Sequence, residues 1–279
     1  MLTYTKHALL ALLLLAPSPA LFAIERDNTE AKVEQLMQAS GLKHVIERFP
    51  QEIEAQINLQ KRSSPSTALS DEESKLLFSH FKSSTIYDSL KQYLSHKLNQ
   101  QTLTTLLAMH DNSLMKRLVT AEVNASSSEH KNDMEAFINT LRHNPPTTSR
   151  IKLIQQLDRV AMSTESVLYI MQMMMLGMNE IMTSGQDKSN PSKRAQQQKV
   201  ITDSTRLIED ELREQIIMSM HYIYRDFTDD ELLHYIAELK RDESQHFTRV
   251  AIEGIGIIIL DAFKHGMNQL LQRRNAKAA

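Results

Sequence analysis

The sequence predicts an all-α protein that follows an amino-terminal export signal. The chain of 279 residues contains only 6 glycines, 7 prolines and no cysteine, a composition that favours helices over turn-rich sheets. No stretch alternates apolar and polar residues with a period of two, whereas apolar residues recur at helical spacing along most of the chain. Asparagine, serine and threonine precede several apolar runs, at positions where their side chains would cap a helix.

Residues 1–23 have the three-part layout of a secretory signal peptide. A short start with one lysine is followed by an apolar run at 8–16 and by two prolines before small residues. Cleavage is expected after Ala20 or Ala23. The apolar run is far shorter than the roughly 20 residues that a membrane-spanning helix needs, and no later stretch reaches that length. We therefore expect a periplasmic or secreted protein without a transmembrane segment.

Charge and cysteine content exclude several classes of protein. Without residues 1–23 the chain has 31 basic and 34 acidic residues, a net charge of −3, which argues against a nucleic-acid partner. The absence of cysteine excludes disulfides, thiolate metal sites and a thiol nucleophile. The motifs GxSxG and HExxH and a phosphate-binding Walker loop do not occur, so the sequence indicates no catalytic residues.

The elements of the first half follow from apolar spacing and capping residues. Asn28 would cap a helix that ends at Gly41, and Pro50 should kink or split the next helix. Ser70 and a glutamate three residues later form a capping box that opens a helix reaching about residue 97, with a break at "SST". Asn99 caps the following helix, and two further helices precede the Pro145–Pro146 boundary.

The second half repeats this order of helices, loops and caps, which predicts an internal duplication. We predict two tandem modules of about five helices each, residues 24–146 and 147–279. The repeated polar loop is "SGQDKSNPSKRAQQQK" in the second copy, and Asn99 and Thr228 are the matching caps. At one constant offset, five apolar positions of the first copy meet five of the second: Leu36, Ile46, Phe49, Ile53 and Ile57 with Leu157, Val167, Ile170, Met174 and Met178.

The segment "IYRDFTDDELLHYIAELKRDESQHFTRVAIEGI" resembles a bacterial domain of unknown function, family 2059. The shared pattern is an "FT-x-x-EL" cap, which Phe227, Thr228, Glu231 and Leu232 match, whereas the later aromatic pair and glycine of the family are missing. The resemblance implies an exported, all-α protein. The family carries no established activity, so the resemblance implies no catalytic residue.

The stretch "LYIMQMMMLGMNEIM" at 168–182 contains six methionines. Its alignment with the first copy predicts that Met174 and Met178 are core residues, while Met171, Met173 and Met175 widen the apolar face into a contact surface. Thioether sulfurs also bind Cu(I), so Met171 and Met175 form the alternative, a copper site. We expect core and contact roles for these methionines rather than a copper site, because methionine commonly fills irregular apolar space.

Two Glu-x-x-His pairs are further candidate metal ligands. Glu231 and His234, and Glu243 and His246, have the helical spacing found in di-iron bundles. Such bundles take the two pairs from different long helices, whereas these pairs lie close together in the chain, and Glu231 is also needed for capping. We therefore expect no metal site here, and we expect His234 and His221 to be partly exposed on helix surfaces.

The segment "AIEGIGIIILDAF" at 251–263 is apolar on nearly every side, which favours a central core helix over one buried by a partner. Gly254 and Gly256 lower helix propensity, so their presence indicates a close approach of another helix, between the two copies.

Three classes of function remain open on this evidence. The leading expectation is an exported, non-enzymatic protein that binds a protein partner or a hydrophobic ligand through apolar helix faces, with no cofactor. A periplasmic copper-binding protein is the first alternative, and an enzyme of unknown reaction is the second. A homo-oligomer is compatible with each of them.

The export signal gives the first testable prediction. Amino-terminal sequencing of the protein recovered from its own host should begin at Leu21 or Ile24, because the small residues at 20 and 23 suit signal peptidase. A mature protein that retains Met1 would contradict export by this route.

Overall fold

The computed structural model describes residues 19–63, 70–141, 143–182 and 191–278, whose regular secondary structure is helical, with no strand. The all-α prediction is confirmed. Residues 1–18 of the predicted leader lie outside this part of the chain. None of the described helices has the length and apolarity needed to cross a membrane.

The first half contains seven α-helices among its described residues, more than the five or so predicted for the module. The predicted break lies at residues 79–82, just before "SST", which begins the fourth helix. The seven helices are α1 (Pro19–Ala39), α2 (Leu42–Ser63), α3 (Asp71–Phe78), α4 (Ser83–Lys97), α5 (Gln100–His110), α6 (Ser113–Ala125) and α7 (Lys131–Leu141). The second half contains five. They are α8 (Thr148–Ala161), α9 (Ser163–Met182), α10 (Pro191–Ile223), α11 (Asp229–Leu239) and α12 (Asp242–Ala278).

Three of the predicted capping residues begin their helices as expected: Ser70, Asn99 and Thr228. The side chain of Asn99 accepts a hydrogen bond from the backbone N–H of Thr102 at 2.8 Å. Thr228 and Glu231 form a capping box in which each side chain accepts a hydrogen bond from the backbone N–H of the other residue. Ser70 and Glu73 form a second capping box at the start of α3. These contacts satisfy backbone donors that have no partner inside the first turn.

Three local predictions differ from the structure. Asn28, expected to cap the first helix, lies inside α1, which begins at Pro19. Pro50 lies inside α2, which continues through it to Ser63, so of the predicted kink or split the split does not occur. The polar stretch expected to be a loop at 184–199 is helical from Pro191, the first residue of α10. Proline suits this position because its fixed φ matches a helix and its missing N–H would have had no helical partner.

The turns between α1 and α2 and between α8 and α9 use left-handed backbone. Gly41 has φ of 76° and Met162 has φ of 55°. Glycine adopts this conformation without strain, whereas a side chain with a β-carbon makes it costly for Met162. The cost at Met162 is offset by the buried carboxylate of Asp158, which accepts hydrogen bonds from both the backbone N–H and the hydroxyl of Thr164 just beyond the turn.

Helix α12 is the central element and contacts helices from both halves, as expected for a core helix. It packs against α9, α4 and α3. A β-carbon on Gly254 would lie 2.7 Å from Cδ1 of Tyr93 and 2.8 Å from Cδ1 of Leu90, both on α4. A β-carbon on Gly256 would overlap the ring of Tyr169 on α9. The expected close approach therefore exists at both glycines, and it joins α12 to the first half through α4.

The close approach at Gly254 gives a stability prediction. The change Gly254→Val should lower the free energy of unfolding by about 1–3 kcal/mol, because the added methyl groups must displace a fully buried leucine and an aromatic ring. Urea denaturation measures this change. The matched control is Ile257→Val, which removes one methylene from an exposed position of the same helix and should stay within about 0.5 kcal/mol of wild type. Equal stabilities for both variants would contradict the packing argument.

Candidate functional site: a cavity between the two halves of the chain

A cavity of about 410 Å³ lies where α5 and α6 of the first half meet α10, α11 and α12 of the second. We call it the central cavity. Its volume falls within the range of about 300–1,000 Å³ that is usual for small-molecule sites. Most of its wall is apolar. The apolar lining includes Leu106, Met109, Met115, Val119, Ile216, Met220, Ile223, Leu239 and Phe247.

One acidic side chain, Glu122 on α6, lines the central cavity. Its Oε1 accepts hydrogen bonds from the hydroxyl groups of Tyr224, at 2.7 Å, and Tyr235, at 2.9 Å. Burial raises the pKa of the Glu122 carboxyl group, and the two tyrosine hydroxyls act in the opposite direction by stabilising the carboxylate. Tyr224 directly follows α10 and Tyr235 lies on α11, so this cluster connects the halves of the chain through side-chain hydrogen bonds.

A histidine and a serine add polar atoms to the cavity wall. His110, the last residue of α5, is 8% exposed, and burial lowers its pKa to about 4, so the ring is neutral at neutral pH. Neither His110 Nδ1 nor Ser40 Oγ has a hydrogen-bond partner among the described residues, although both atoms are buried. An unsatisfied buried polar atom is costly and is therefore a candidate contact for a ligand.

The polar cluster occupies helix positions that would otherwise belong to the core. Glu122 follows Met115 and Leu118 at intervals of seven and four residues, so it continues the buried stripe of α6. His110 continues the stripe of Leu103 and Leu106 on α5 in the same way. Sequence reasoning missed both residues. The signal that could have found them is a titratable side chain in line with an apolar stripe.

Two other clefts contain charges that are already paired. A cleft of about 430 Å³ is lined by Lys116, Arg117 and Arg225, among others. Lys116 pairs with Asp111, Arg117 donates to Glu231 at 2.7 Å, and the guanidinium of Arg225 lies 4.0 Å from the centre of the Tyr222 ring. The third cleft, of about 490 Å³, is lined by threonines, His234, Glu238 and Arg241. The last two form an ion pair at 3.1 Å. The central cavity is the better candidate because its acid has no basic residue beside it.

The methionines of α9 divide between the interior and the surface. Met174 is partly buried against the hydrophobic core. Met173 is half-buried, with its Cγ 3.2 Å from where a β-carbon on Gly256 would lie, so it faces α12. Met175 is 37% exposed and Met171 is half-buried. The side chain of Met178 lies outside the described part of the structure.

The candidate metal ligands are engaged in other contacts or face solvent. Glu231 caps α11 and accepts a hydrogen bond from Arg117. His234 and His246 are exposed, and Glu243 is half-buried in the first turn of α12. Within the described residues, no three histidine, aspartate or glutamate side chains come together as a metal site would require.

His221 is buried rather than partly exposed, so that prediction is wrong, whereas the exposure of His234 is confirmed. The last turn of this long helix, α10, is packed against the rest of the protein. Met220 and Tyr222, on either side of His221, are therefore buried as well. Burial lowers the pKa of His221, and the charge of Arg150 lowers it further.

The buried histidine of the cavity predicts a loss of stability in acid. The folded-state pKa of His110 is about 4, below the ordinary value of 6.5, so the unfolded chain binds more protons between these values. The stabilisation is complete above pH 6.5 and is lost as the pH falls through 4. Between pH 7 and pH 4, wild type should lose about 2–3 kcal/mol more unfolding free energy than His110→Gln. Urea denaturation measures the difference.

The control for this measurement is His96→Gln, which changes an exposed histidine on α4. Its loss of stability in acid should match that of wild type, because the changed side chain is exposed and His110 is still present. A His110→Gln variant that loses as much stability in acid as wild type would contradict the attribution of this loss to His110.

Comparisons of the chain with protein-family models, with curated proteins and with solved structures found no match. The resemblance of residues 223–255 to family 2059 therefore stays a prediction.

Proposed function

We propose that this protein is an exported, non-enzymatic binding protein that holds a small and largely apolar ligand in the central cavity. The observation that carries the proposal is the combination of an apolar wall with a few convergent polar groups, Glu122, His110 and Ser40. Binding sites for small molecules have this composition, since apolar contact supplies affinity and a few polar contacts fix orientation. Export supports a role in binding molecules outside the cytoplasm.

We also propose that the binding site arose at the junction of two duplicated modules. Three observations support this proposal. The pairs α1 and α5, and α2 and α4, pack together in the first half, as the corresponding pairs α8 and α11, and α9 and α10, do in the second. The left-handed turns at Gly41 and Met162 occupy matching positions of the sequence alignment. Asn99 and Thr228 cap corresponding helices.

The duplication explains why the polar cluster is distinct from the shared core. In the alignment of the two copies, Tyr224 stands where the first copy has Leu94, and Tyr235 stands where it has Leu106. All four side chains are buried. Apolar positions of one copy have thus become hydrogen-bond donors in the other, and these donors point to an acid of the first copy. Such a specialisation at a junction favours a binding role over a purely structural one.

A second candidate function is the binding of a protein partner through α9. Val167, Met171 and Met175 follow one another at intervals of four residues, so they form a strip along one side of the helix. Val167 is 38% exposed and Met175 is 37% exposed. Apolar and adaptable side chains of this kind are common in contact surfaces.

The cavity proposal predicts that filling the cavity removes ligand binding. Native mass spectrometry of wild-type protein from its own host should detect a bound small molecule. The variant Ser219→Phe should lack it, because a phenyl ring at this lining position occupies the cavity. The control Ser219→Ala removes the hydroxyl group without adding bulk and should retain the molecule. Circular dichroism checks that each variant is folded.

The same preparations separate the two candidate functions. A molecule retained equally by Ser219→Phe and wild type would contradict binding in the central cavity. If a crosslinked protein partner is instead captured by wild type and by Ser219→Phe but is lost with Met175→Glu, the strip on α9 is the binding surface. The charge of the new glutamate opposes apolar docking there, while its position on the surface should leave the fold intact.

A further inference from the structure

We infer that the ligand of the central cavity is an organic cation, an amine with an apolar substituent, whose ammonium group pairs with Glu122. This inference rests on the proposed function, because it names the chemical class of ligand for the same cavity. It follows from the charges of the lining, the arrangement of the hydrogen bonds and the nature of the surrounding side chains.

The lining of the central cavity contains an acid and no compensating base. Glu122 is its one carboxylic acid, and none of the lining residues is a lysine or an arginine. His110 is neutral at neutral pH, since burial lowers its pKa to about 4. Among the described residues, no ion pair includes Glu122. A buried carboxylate without a cation is unfavourable, and a cationic ligand would remove that cost.

The hydrogen bonds of Glu122 favour its charged form in the presence of such a ligand. Both tyrosine hydroxyls donate to the same oxygen, Oε1. Two phenol donors stabilise the negative charge of a carboxylate and hold it in one orientation. An ammonium group on the ligand would then complete a preorganised site, because the acceptor does not have to be reoriented on binding.

The aromatic and sulfur-containing side chains of the lining also suit an amine with an apolar substituent. The rings of Tyr224, Tyr235 and Phe247 belong to the lining, and aromatic rings attract a cation that lies over their faces. The sulfur-containing side chains of Met109, Met115 and Met220 provide an adaptable apolar wall for the substituent. An anionic ligand would face the Glu122 carboxylate without a basic partner, so anions should be rejected.

The test compares three small probes of similar size that differ in charge. They are 2-phenylethylamine, which is protonated at neutral pH, neutral 2-phenylethanol and anionic phenylacetate. Isothermal titration calorimetry on the full mature chain should show the amine binding about tenfold or more tightly than the alcohol, with phenylacetate weakest. This comparison in wild-type protein requires no variant, so it does not depend on how well any variant folds.

A variant then tests whether Glu122 causes the preference for the amine. Glu122→Gln keeps an oxygen that accepts the tyrosine hydrogen bonds but removes the charge, so it should lose the preference for the amine and retain the affinity for the alcohol. The matched control is Glu214→Gln, which removes the same charge from an exposed position on α10 and should keep the preference. Rejection of the amine by Ser219→Phe places the probe in the central cavity.

Each contrary result overturns a defined statement. Equal affinity of wild type for the amine and the alcohol overturns the inference about charge but leaves ligand binding in the cavity standing. Retention of the amine preference in Glu122→Gln overturns the role of this acid. Unchanged amine binding in Ser219→Phe, or no binding of any probe, overturns the inference, whereas the proposed function is judged separately by the molecule retained from the host.

Discussion

The packing of α12 against helices from both halves of the chain is the constraint on which the rest of the structure depends. At Gly254 the backbone of α12 comes so close to α4 that a single β-carbon would meet Leu90 and Tyr93. At Gly256 it comes equally close to Tyr169 on α9. Close approach increases the dispersion contacts between helices and removes apolar surface from water, which offsets the helix propensity that glycine lacks. The two halves are thereby held in one arrangement around a shared helix.

That arrangement brings polar groups together that no single half contains. The start of α12 contributes Ser244 and Phe247 to the central cavity, and α6 contributes Glu122. Tyr224 directly follows α10, and Tyr235 lies on α11. Hydrogen bonds across the junction are directional, so they favour one register of the halves over others. The acid that accepts these hydrogen bonds across the junction is also the one carboxylic acid of the cavity wall, so the contact between the halves and the proposed binding role involve the same side chain, Glu122.

A second buried acid has a different environment and a different role. Asp158 is completely buried, and Arg213 donates a hydrogen bond to its Oδ2 at 2.6 Å. Thr164 donates two hydrogen bonds to the other carboxylate oxygen, Oδ1, so both oxygens of Asp158 have partners within the protein. In the proposed alignment of the two halves it stands opposite the buried Met37. The contrast with Glu122 separates an acid that stabilises a turn from one that remains available to a ligand.

The sequence by itself determined the all-helical class, the capping residues at Ser70, Asn99 and Thr228, and the central position of the helix containing Gly254 and Gly256. These features depend on short-range rules, since apolar spacing and backbone hydrogen bonds involve residues within a few positions of one another. The helical start at Pro191 was missed because a polar run that begins with proline suits a loop as well as a first helical turn.

Only the tertiary structure decided which titratable residues meet. Glu122 and His110 are far apart in sequence from Tyr224 and Tyr235, and each lies on a helix stripe that reads as ordinary core or surface when taken alone. The burial of His221 and the division of the α9 methionines between core and surface were likewise settled by neighbouring helices. Helical periodicity specifies a face of a helix, but the element that covers this face depends on contacts between residues distant in the chain.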